Sequence, residues 1–570
     1  MKKILIILCL LFTFLYPKSN IAQEYLKIQI PTVTPQILNK INQLGIDLSY
    51  SELMDSSLAI IVNSYELNLL TSSGITSKIL VSDMEKYFES RLIKSNYNEY
   101  FLLGEYFRTG KISGYFSSDE IYSEFDRMME KYPAYISKEL IGYSVENRPV
   151  YAYCIGNRAC YSDNDYRQVL ITSLHHAREP GSVFTVLYYF WDLFERFENK
   201  NKNADFILNN RHIFVIPQIN PDGVIFNEMN KPLGGGLWRK NRKINSDSSI
   251  GVDLNRNYGP YYAWNSSNKG SSDNGKIDTY RGIAPFSEPE TQNINNFLKN
   301  KNIRIALNCH SFGNAVYIPY SYITEESPDS LWYWRFLTDN YRRNGYIFGR
   351  DEEAVNYTTR GSADDFLYIS EGKSERTLSM TLELGNSFDS FWPPIDRMFE
   401  IAESNLDFFD NIIFSADKNI SLFDKDLVNF DNKFYIRVIL CNIGYNKINE
   451  YNFDIKNTDY KLTIIQENYK GYNLERGSLD TFLIEFQPKD IINGDLAKFS
   501  INLDNDFEKN IEFEIPVYEF IEFNLLDKNE LKNWEISLPW LIQDSILLSN
   551  STLEYLPNLN SLAEYIIDLD

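Results

Sequence analysis

Histidine is scarce in this chain. Only four occur in 570 residues: His175, His176, His212 and His310. A histidine-rich metal store or a pH-sensing histidine cluster is therefore excluded. Cysteine is nearly as rare, with five, so a disulfide-built scaffold and a cysteine-rich structural zinc site are excluded too. Cys9 lies in the first apolar run. Cys154 and Cys160 flank the turn-like Ile155 to Ala159 and are spaced for a bridge in an oxidising compartment. Cys309, inside an apolar run, reads as core. Basic charge is in deficit: 56 Lys and Arg against 78 Asp and Glu leave a formal net charge of −22. That argues against nucleic-acid binding, which needs a basic face. Beyond the N-terminus no stretch has the ~18 apolar residues of a membrane span.

What is present divides the chain. Residues 1–22 read as a secretory signal: Lys2 and Lys3, then the short apolar run Ile4 to Tyr16, then Ala22 as a cleavage site before Gln23. An uncleaved anchor is the alternative. Cleavage predicts an exported protein, secreted or periplasmic, with no stable membrane insertion. Residues 23–112 alternate strand-like and helical runs: Leu26 to Ile30, Pro35 to Leu44, Leu58 to Val62, Tyr65 to Ser73 and Ser77 to Val81. Residues 113–412 do so on a larger scale, with apolar strands at Gln168–Leu174, His212–Ile219, Ile303–Cys309 and Leu378–Leu384 and a long helix over Val183 to Phe197. This pattern predicts an α/β fold. Ser287-Glu288-Pro289-Glu290 reads as a capping box opening the helix before the third strand. Over 413–525 the helical period gives way to short alternating runs, such as Phe434 to Leu440 and Lys498 to Leu503, which predict a β-sandwich. Residues 526–570 read as the start of a further β-domain or a C-terminal extension.

Three of the four histidines sit at or beside strand ends. His176 and Glu179, three apart after the first strand, can reach one metal ion if the backbone turns there. His310, ending the third strand, is a third ligand. Two imidazoles, one carboxylate and an open position make a catalytic rather than a structural zinc set. His175 should point away from His176 and reads as packing, and His212 reads as core. Glu383 ends the fourth strand. A carboxylate on an apolar strand is costly unless it has work there, and a general base is one such role. Alone, His-x-x-Glu is a weak motif.

Its company is specific. Trp238-Arg239-Lys240-Asn241-Arg242, Gly251-Val252-Asp253-Leu254-Asn255-Arg256-Asn257, His310-Ser311-Phe312 and Thr381-Leu382-Glu383-Leu384 follow in order. With them the chain resembles the zinc carboxypeptidases of the pancreatic carboxypeptidase A/B type over roughly residues 113–412. The resemblance implies a mixed central sheet with helices on both faces. It makes His176, Glu179 and His310 the ligands of one Zn2+, with Asp253 orienting His176. It makes Glu383 the general base acting on a zinc-activated water and Arg239 the group that stabilises the oxyanion. Arg178, Asn255, Arg256 and Tyr357 become substrate-binding residues, the last three gripping the terminal carboxylate. Counting seven on from Tyr357 puts Asp364 at the floor of the specificity pocket. Asp365, or a one-residue shift that puts Ala363 there, is the alternative, with Asp364 then a solvated or structural acid. Residues 23–112 resemble the inhibitory propeptide placed before many secreted members, which implies an activating protease. The expected function is removal of C-terminal residues from peptides and proteins. The alternatives are a zinc amidase of the same fold acting on cell-wall peptides or amino-acid conjugates, and an inactive peptide-binding homologue.

Overall fold

The computed structural model describes residues 24–92, 106–157, 167–517 and 540–549, apart from positions 55, 269, 356–357, 374, 431–432, 490–494, 505–507 and 544–545. The expected signal sequence (1–22), Cys160 and Tyr357 therefore lie outside the described residues. The chain forms two compact units, one of residues up to 419 with 443–447, the other of 420–442 and 448 onward.

The first unit contains two sheets. In the smaller, β1 (Tyr25–Ile30), β2 (Glu52–Met54), β3 (Ser57–Asn63) and β4 (Lys78–Val81) pair antiparallel in the order β2-β3-β1-β4. Ile28, Ile30, Leu58, Ile60 and Val62 pack against Ile41 and Leu70 from the helices Pro35–Gln43 and Ser64–Ser72. The elements follow the sequence pattern to within a residue or two. Thr34 caps the first helix, and Asn63 and Glu66 form a capping box on the second.

The larger sheet has eight strands: β5 (Ile136–Tyr143), β6 (Pro149–Ile155), β7 (Arg167–Thr172), β8 (Arg211–Ile216), β9 (Ile303–His310), β10 (Ala315–Tyr317), β11 (Ile347–Gly349) and β12 (Leu378–Glu383). Their order is β11-β10-β12-β9-β7-β8-β6-β5. The central four, β12, β9, β7 and β8, are parallel, and antiparallel pairs flank them. Central strands covered on both faces need apolar residues at every position, which is why they read as unbroken apolar runs. Leu170 packs against Ile294 and Leu298 of the helix Pro289–Leu298. Val169 and Ile171 point to the other face and are equally buried.

The helix Pro289–Leu298 starts differently from expectation. Glu288 is its N-cap and no side chain caps it. The Ser287 hydroxyl instead donates to Glu288 Oε1, and the Glu290 carboxylate accepts from Val145 N and Asn241. Pro289 supplies no N–H to cap, and tertiary donors claim both acids. Cys154 is disulfide-bonded, and Cys309 is a buried free thiol.

The second unit is a sandwich of two antiparallel sheets, of strands β13 (Ile420–Phe430), β14 (Lys433–Asn442), β15 (Ile448–Asn457), β16 (Leu462–Ile464), β17 (Asn468–Leu474), β18 (Leu479–Pro488), β19 (Leu496–Asp504) and β20 (Glu508–Pro516). The sheet orders are β13-β14-β18-β16 and β17-β15-β19-β20. Alternate residues, among them Ile436, Val438, Phe453, Ile455, Phe499 and Ile501, fill the space between. Beyond it, the described part of 526–570 is the hairpin Trp540–Gln543 with Ile546–Ser549. No helix among the described residues is long and apolar enough to cross a membrane.

Candidate active site

Parallel strands bring their carboxyl ends to one edge of the sheet, where open α/β sheets bind ligands. β9 ends on His310 and β12 on Glu383, and these two are direct register partners. β7 ends at Thr172, beside Asn308 of β9. The chain then turns through Leu174, at φ 53°, into His175, His176 and Glu179, and Glu179 is the N-cap of the helix Pro180–Glu198. Asn220 and Asn227 pin this loop to the next. Asn220 Nδ2 donates to the carbonyls of His175 and Arg239, and Asn227 Nδ2 to those of Ala177 and Trp238.

His176, Glu179 and His310 converge with donor atoms within 4.8 Å of one another. His176 Nδ1 lies 2.7 Å from Glu179 Oε1, and His310 Nδ1 lies 2.9 Å from Oε2. His176 Nε2 faces Asp253 Oδ1 at 3.2 Å, an outer carboxylate of the kind that fixes the tautomer of a ligating imidazole. All three are buried. Burial opposes ionisation of Glu179, but the imidazoles beside it hold its carboxyl well below the usual range. Two imidazole nitrogens and a carboxylate converging on one buried point are the donor set of a divalent metal. His175 does not join them: its Nε2 bonds Tyr258 Oη at 2.9 Å and its ring stacks on His310.

Glu383 faces this group. Burial, then the charges of Glu179, Asp47 and Asp351, push its carboxyl well above the ordinary value, against the pull of Arg239. Among the described residues its Oε2 has no hydrogen-bond partner. Gly313 leaves room for it: a Cβ there would stand 3.0 Å from Glu383 Cβ. Arg239 is fully buried, held by Asp253 Oδ2 through Nε at 3.0 Å. The Asp253 side chain also caps Asn255 N, setting the tight turn that presents Asn255 and Arg256. These two, with His176, Arg239, Glu383, Asp351 and Asp364, line one cavity of about 30 Å³, room for about two waters.

Of the pocket-floor alternatives, Asp364 lines that cavity. Its oxygens accept from Asn308 Nδ2 and, at 2.5 Å, from Thr381 Oγ1, and burial pushes its carboxyl up to about 7. Ala363 packs in the core, and Asp365 accepts from Ser321 N and Tyr322 N. Asp351, a second buried acid on the lining, accepts from Thr359 Oγ1. Nothing in its local sequence marked it.

Residues of the N-terminal sheet unit enter this cavity, where Ser49 and Tyr50 are part of the lining. Asp47 Oδ2 lies 3.0 Å from Arg239 Nη1 and 3.7 Å from Arg178 Nη2. Burial raises the Asp47 carboxyl, but Arg239, Arg256 and Arg178 together bring it to about 2. Arg178 also pairs with Asp278 at 2.9 Å. Tyr50 Oη donates to Glu179 Oε1 at 2.6 Å. The sequence pattern showed a domain here but carried no signal for which of its side chains enter the site.

A family profile described as Zinc carboxypeptidase matches residues 121–408, half of the chain. Mast cell carboxypeptidase A of Rattus norvegicus is 32% identical over 259 residues, covering 44% of this chain and 60% of that protein. Carboxypeptidase B2 of Bos taurus is 30% identical over 271 residues, 45% of this chain and 60% of its own length. The chain thus spans about three-fifths of the curated relatives it matches. Among solved structures, the carboxypeptidase A of Helicoverpa armigera aligns with a TM-score of 0.54 at 21% identity, covering 70% of this chain and 98% of that one. Thrombin activatable fibrinolysis inhibitor aligns with a TM-score of 0.53 at 23% identity, over 69% and 98%. At these identities the two structures establish the fold.

Proposed function

Because this chain belongs to the zinc carboxypeptidase family, we propose that it is a secreted metallocarboxypeptidase, made latent by its own N-terminal domain, that removes single residues from peptide C-termini. The observation that carries this reading is the convergence of Arg239, Asn255 and Arg256 on one cavity with the His176–Glu179–His310 set and Glu383.

His176, Glu179 and His310 would hold the metal, one Zn2+ per chain, and when bound it supplies Lewis acidity toward the scissile carbonyl and the attacking water. The chain's own groups do the rest. Arg256, whose planar fork suits a carboxylate, and Asn255 hold the free C-terminus and so fix which peptide bond reaches Glu383. Tyr357 joins them in this reading. Arg239, already fixed by Asp253, offers its charge to the developing oxyanion without reorganising. Glu383 takes the water's proton and returns it to the departing amine. Its displaced carboxyl and free oxygen suit a group that must carry a proton in one step and not the next. Arg178, freed of Asp47, contacts the substrate farther from the cut bond.

Asp364 and Asp351 set the side-chain preference in this reading. Two buried acids on one wall favour a C-terminal Arg or Lys by Coulomb attraction and penalise a neutral side chain that leaves them unpaired. The test is to cut the N-terminal domain away, incubate the enzyme with a peptide library and identify released amino acids by mass spectrometry, with the same peptides amidated as controls. Single C-terminal residues, released from free acids and not from amides, are expected. Equal hydrolysis of both forms would instead identify an amidase.

A further inference from the structure

The contact between Tyr50 and Glu179 differs in kind from the others the N-terminal domain makes. Asp47 meets arginines that hold substrate, and covering them obstructs binding. Tyr50 meets the metal set itself. Its hydroxyl lies 2.6 Å from Glu179 Oε1 and 3.4 Å from Arg239 Nη1. Its ring is buried and clamped, 5.2 Å from Phe312, 4.8 Å from Phe391, with the Arg178 guanidinium 5.5 Å from the ring centre. Phe312 follows His310 by two residues. Three residues before Tyr50, the Asp47–Arg239 pair fixes the backbone that delivers it. The hydroxyl is thus held by both flanks of an aromatic slot and aimed at the carboxylate of the metal set.

A catalytic His2Glu zinc keeps a fourth, exchangeable position. At ligand distances of about 2.0–2.2 Å, neighbouring donors of a tetrahedral ion stand roughly 3.3 Å apart. The Tyr50 oxygen, at 2.6 Å from Glu179 Oε1, stands closer than that spacing by less than about 1 Å. We propose that in the uncut chain Tyr50 is the fourth ligand of the metal, so that the N-terminal domain disarms the metal as well as covering the cleft. The oxygen binds as the phenolate, its proton leaving to solvent as protons of other metal ligands do. Removal of the domain withdraws the ligand and opens the position to water. This rests on the carboxypeptidase reading of the metal set.

The full uncut chain, stripped of metal and loaded with one equivalent of Cu2+, tests it. A tyrosine phenolate on copper gives an intense charge-transfer band in the visible that imidazole and carboxylate ligands lack. That band is expected in the uncut chain, absent in Tyr50→Phe, retained in Asp47→Asn, and lost when the N-terminal domain is cut off and removed. With zinc in place, Tyr50→Phe is expected to surrender the metal to a chelator at least tenfold faster than the uncut wild type. Far-ultraviolet circular dichroism matching wild type identifies a folded Tyr50→Phe. Should that variant fail to fold, the wild-type band and its loss on cutting decide alone. Stoichiometric copper binding with one spectrum for wild type and Tyr50→Phe would overturn the proposal and leave the metal set standing. Failure of the uncut wild type to bind one copper or one zinc would overturn both.

Discussion

In the proposed mechanism Glu383 is the residue on which the chemistry turns. Burial, then Glu179, Asp47 and Asp351, push its carboxyl up against the pull of Arg239, and Asp47 belongs to the N-terminal unit that the proposal has removed. Glu383→Gln keeps shape and burial and leaves the three metal ligands in place. The trimmed variant should bind one zinc and lose 10²-fold or more in kcat, as general-base removal does. Activity within about tenfold of wild type, a barrier change of only ~1.4 kcal/mol, would assign the role elsewhere. Asp364 supports a second expectation. Its carboxyl is held by Asn308 and Thr381 and sits on the cavity wall, so Asp364→Ala should lower kcat/KM for peptides ending in Arg relative to Leu and Phe. An unchanged ratio excludes Asp364 as the selector and leaves Asp351 to be tested the same way. At this scale the sequence was legible where a residue's type conflicts with its surroundings: a Glu ending an apolar strand, a His pair before a helix. Asp47 and Tyr50 fall in the irregular stretch between the helix Pro35–Gln43 and β2, and Asp351 opens a short acidic helix. Only the tertiary fold brings them to the cavity, so no local pattern could mark them.

At the level of elements, periodicity marked the central strands because parallel strands buried on both faces must be apolar throughout. It failed at Ser287, where the capping pattern is right but the acids are drawn off by Val145, Asn241 and the Ser287 hydroxyl. The helix Ser64–Ser72 shows the opposite case, a capping box that also serves the interface. Glu66 Oε2 accepts from Asn63 N, while Oε1 accepts from Asp278 N across the domain boundary. Asp278 in turn receives Tyr25 Oη, Asn63 Nδ2 and Arg178, and Lys240 feels the charge of Glu66. Burial, then the Asp278 charge, push the Glu66 carboxyl up to about 8, against the pull of the two backbone N–H groups and Arg178. The sign follows. A group whose pKa is higher docked than free binds more protons docked, so docking is strongest below the free value and weakens as pH rises through about 8. After the linker is cut, the N-terminal fragment should co-elute with the enzyme at pH 6 and separate at pH 9. Glu66→Gln, which cannot ionise, should show a smaller difference, with Lys240, brought down to about 8 by burial, the group beside it that still titrates in this window. A wild-type complex equally tight at both pH values would show that Glu66 is not the titrating contact.

Across the whole molecule, the N-terminal sheet unit and the catalytic unit are joined by the stretch after the helix Met84–Leu92, and in the proposed latent form the point where a protease cuts it decides whether the site opens. Arg108 and Lys111 are both exposed, yet their surroundings differ. Lys111 sits inside a small hairpin: Gly110 N bonds Gly114 O, Ile112 N bonds Tyr115 O, and the Lys111 backbone N donates to the Glu120 carboxylate. Ile112 and Tyr115 are buried in the catalytic unit, and Tyr115 Oη donates to Pro393 O. A protease must extend several residues through its cleft, and here that would break these bonds and expose two side chains. Arg108 precedes the hairpin and carries none of those backbone bonds, and its buried neighbour Phe107, packed on Phe116, Phe184, Tyr188 and Phe399, is the one side chain its cleavage would draw out. Trypsin-like cleavage should therefore fall after Arg108 before it falls after Lys111, and the enzyme trimmed after Arg108 should keep the hairpin and gain activity at least tenfold over the uncut chain. N-terminal sequencing of the trimmed product, followed through the rise in activity, checks both points. Cleavage first after Lys111 would show that the hairpin opens in solution, and full activity in the intact chain would show that Asp47 and Tyr50 do not hold the site shut.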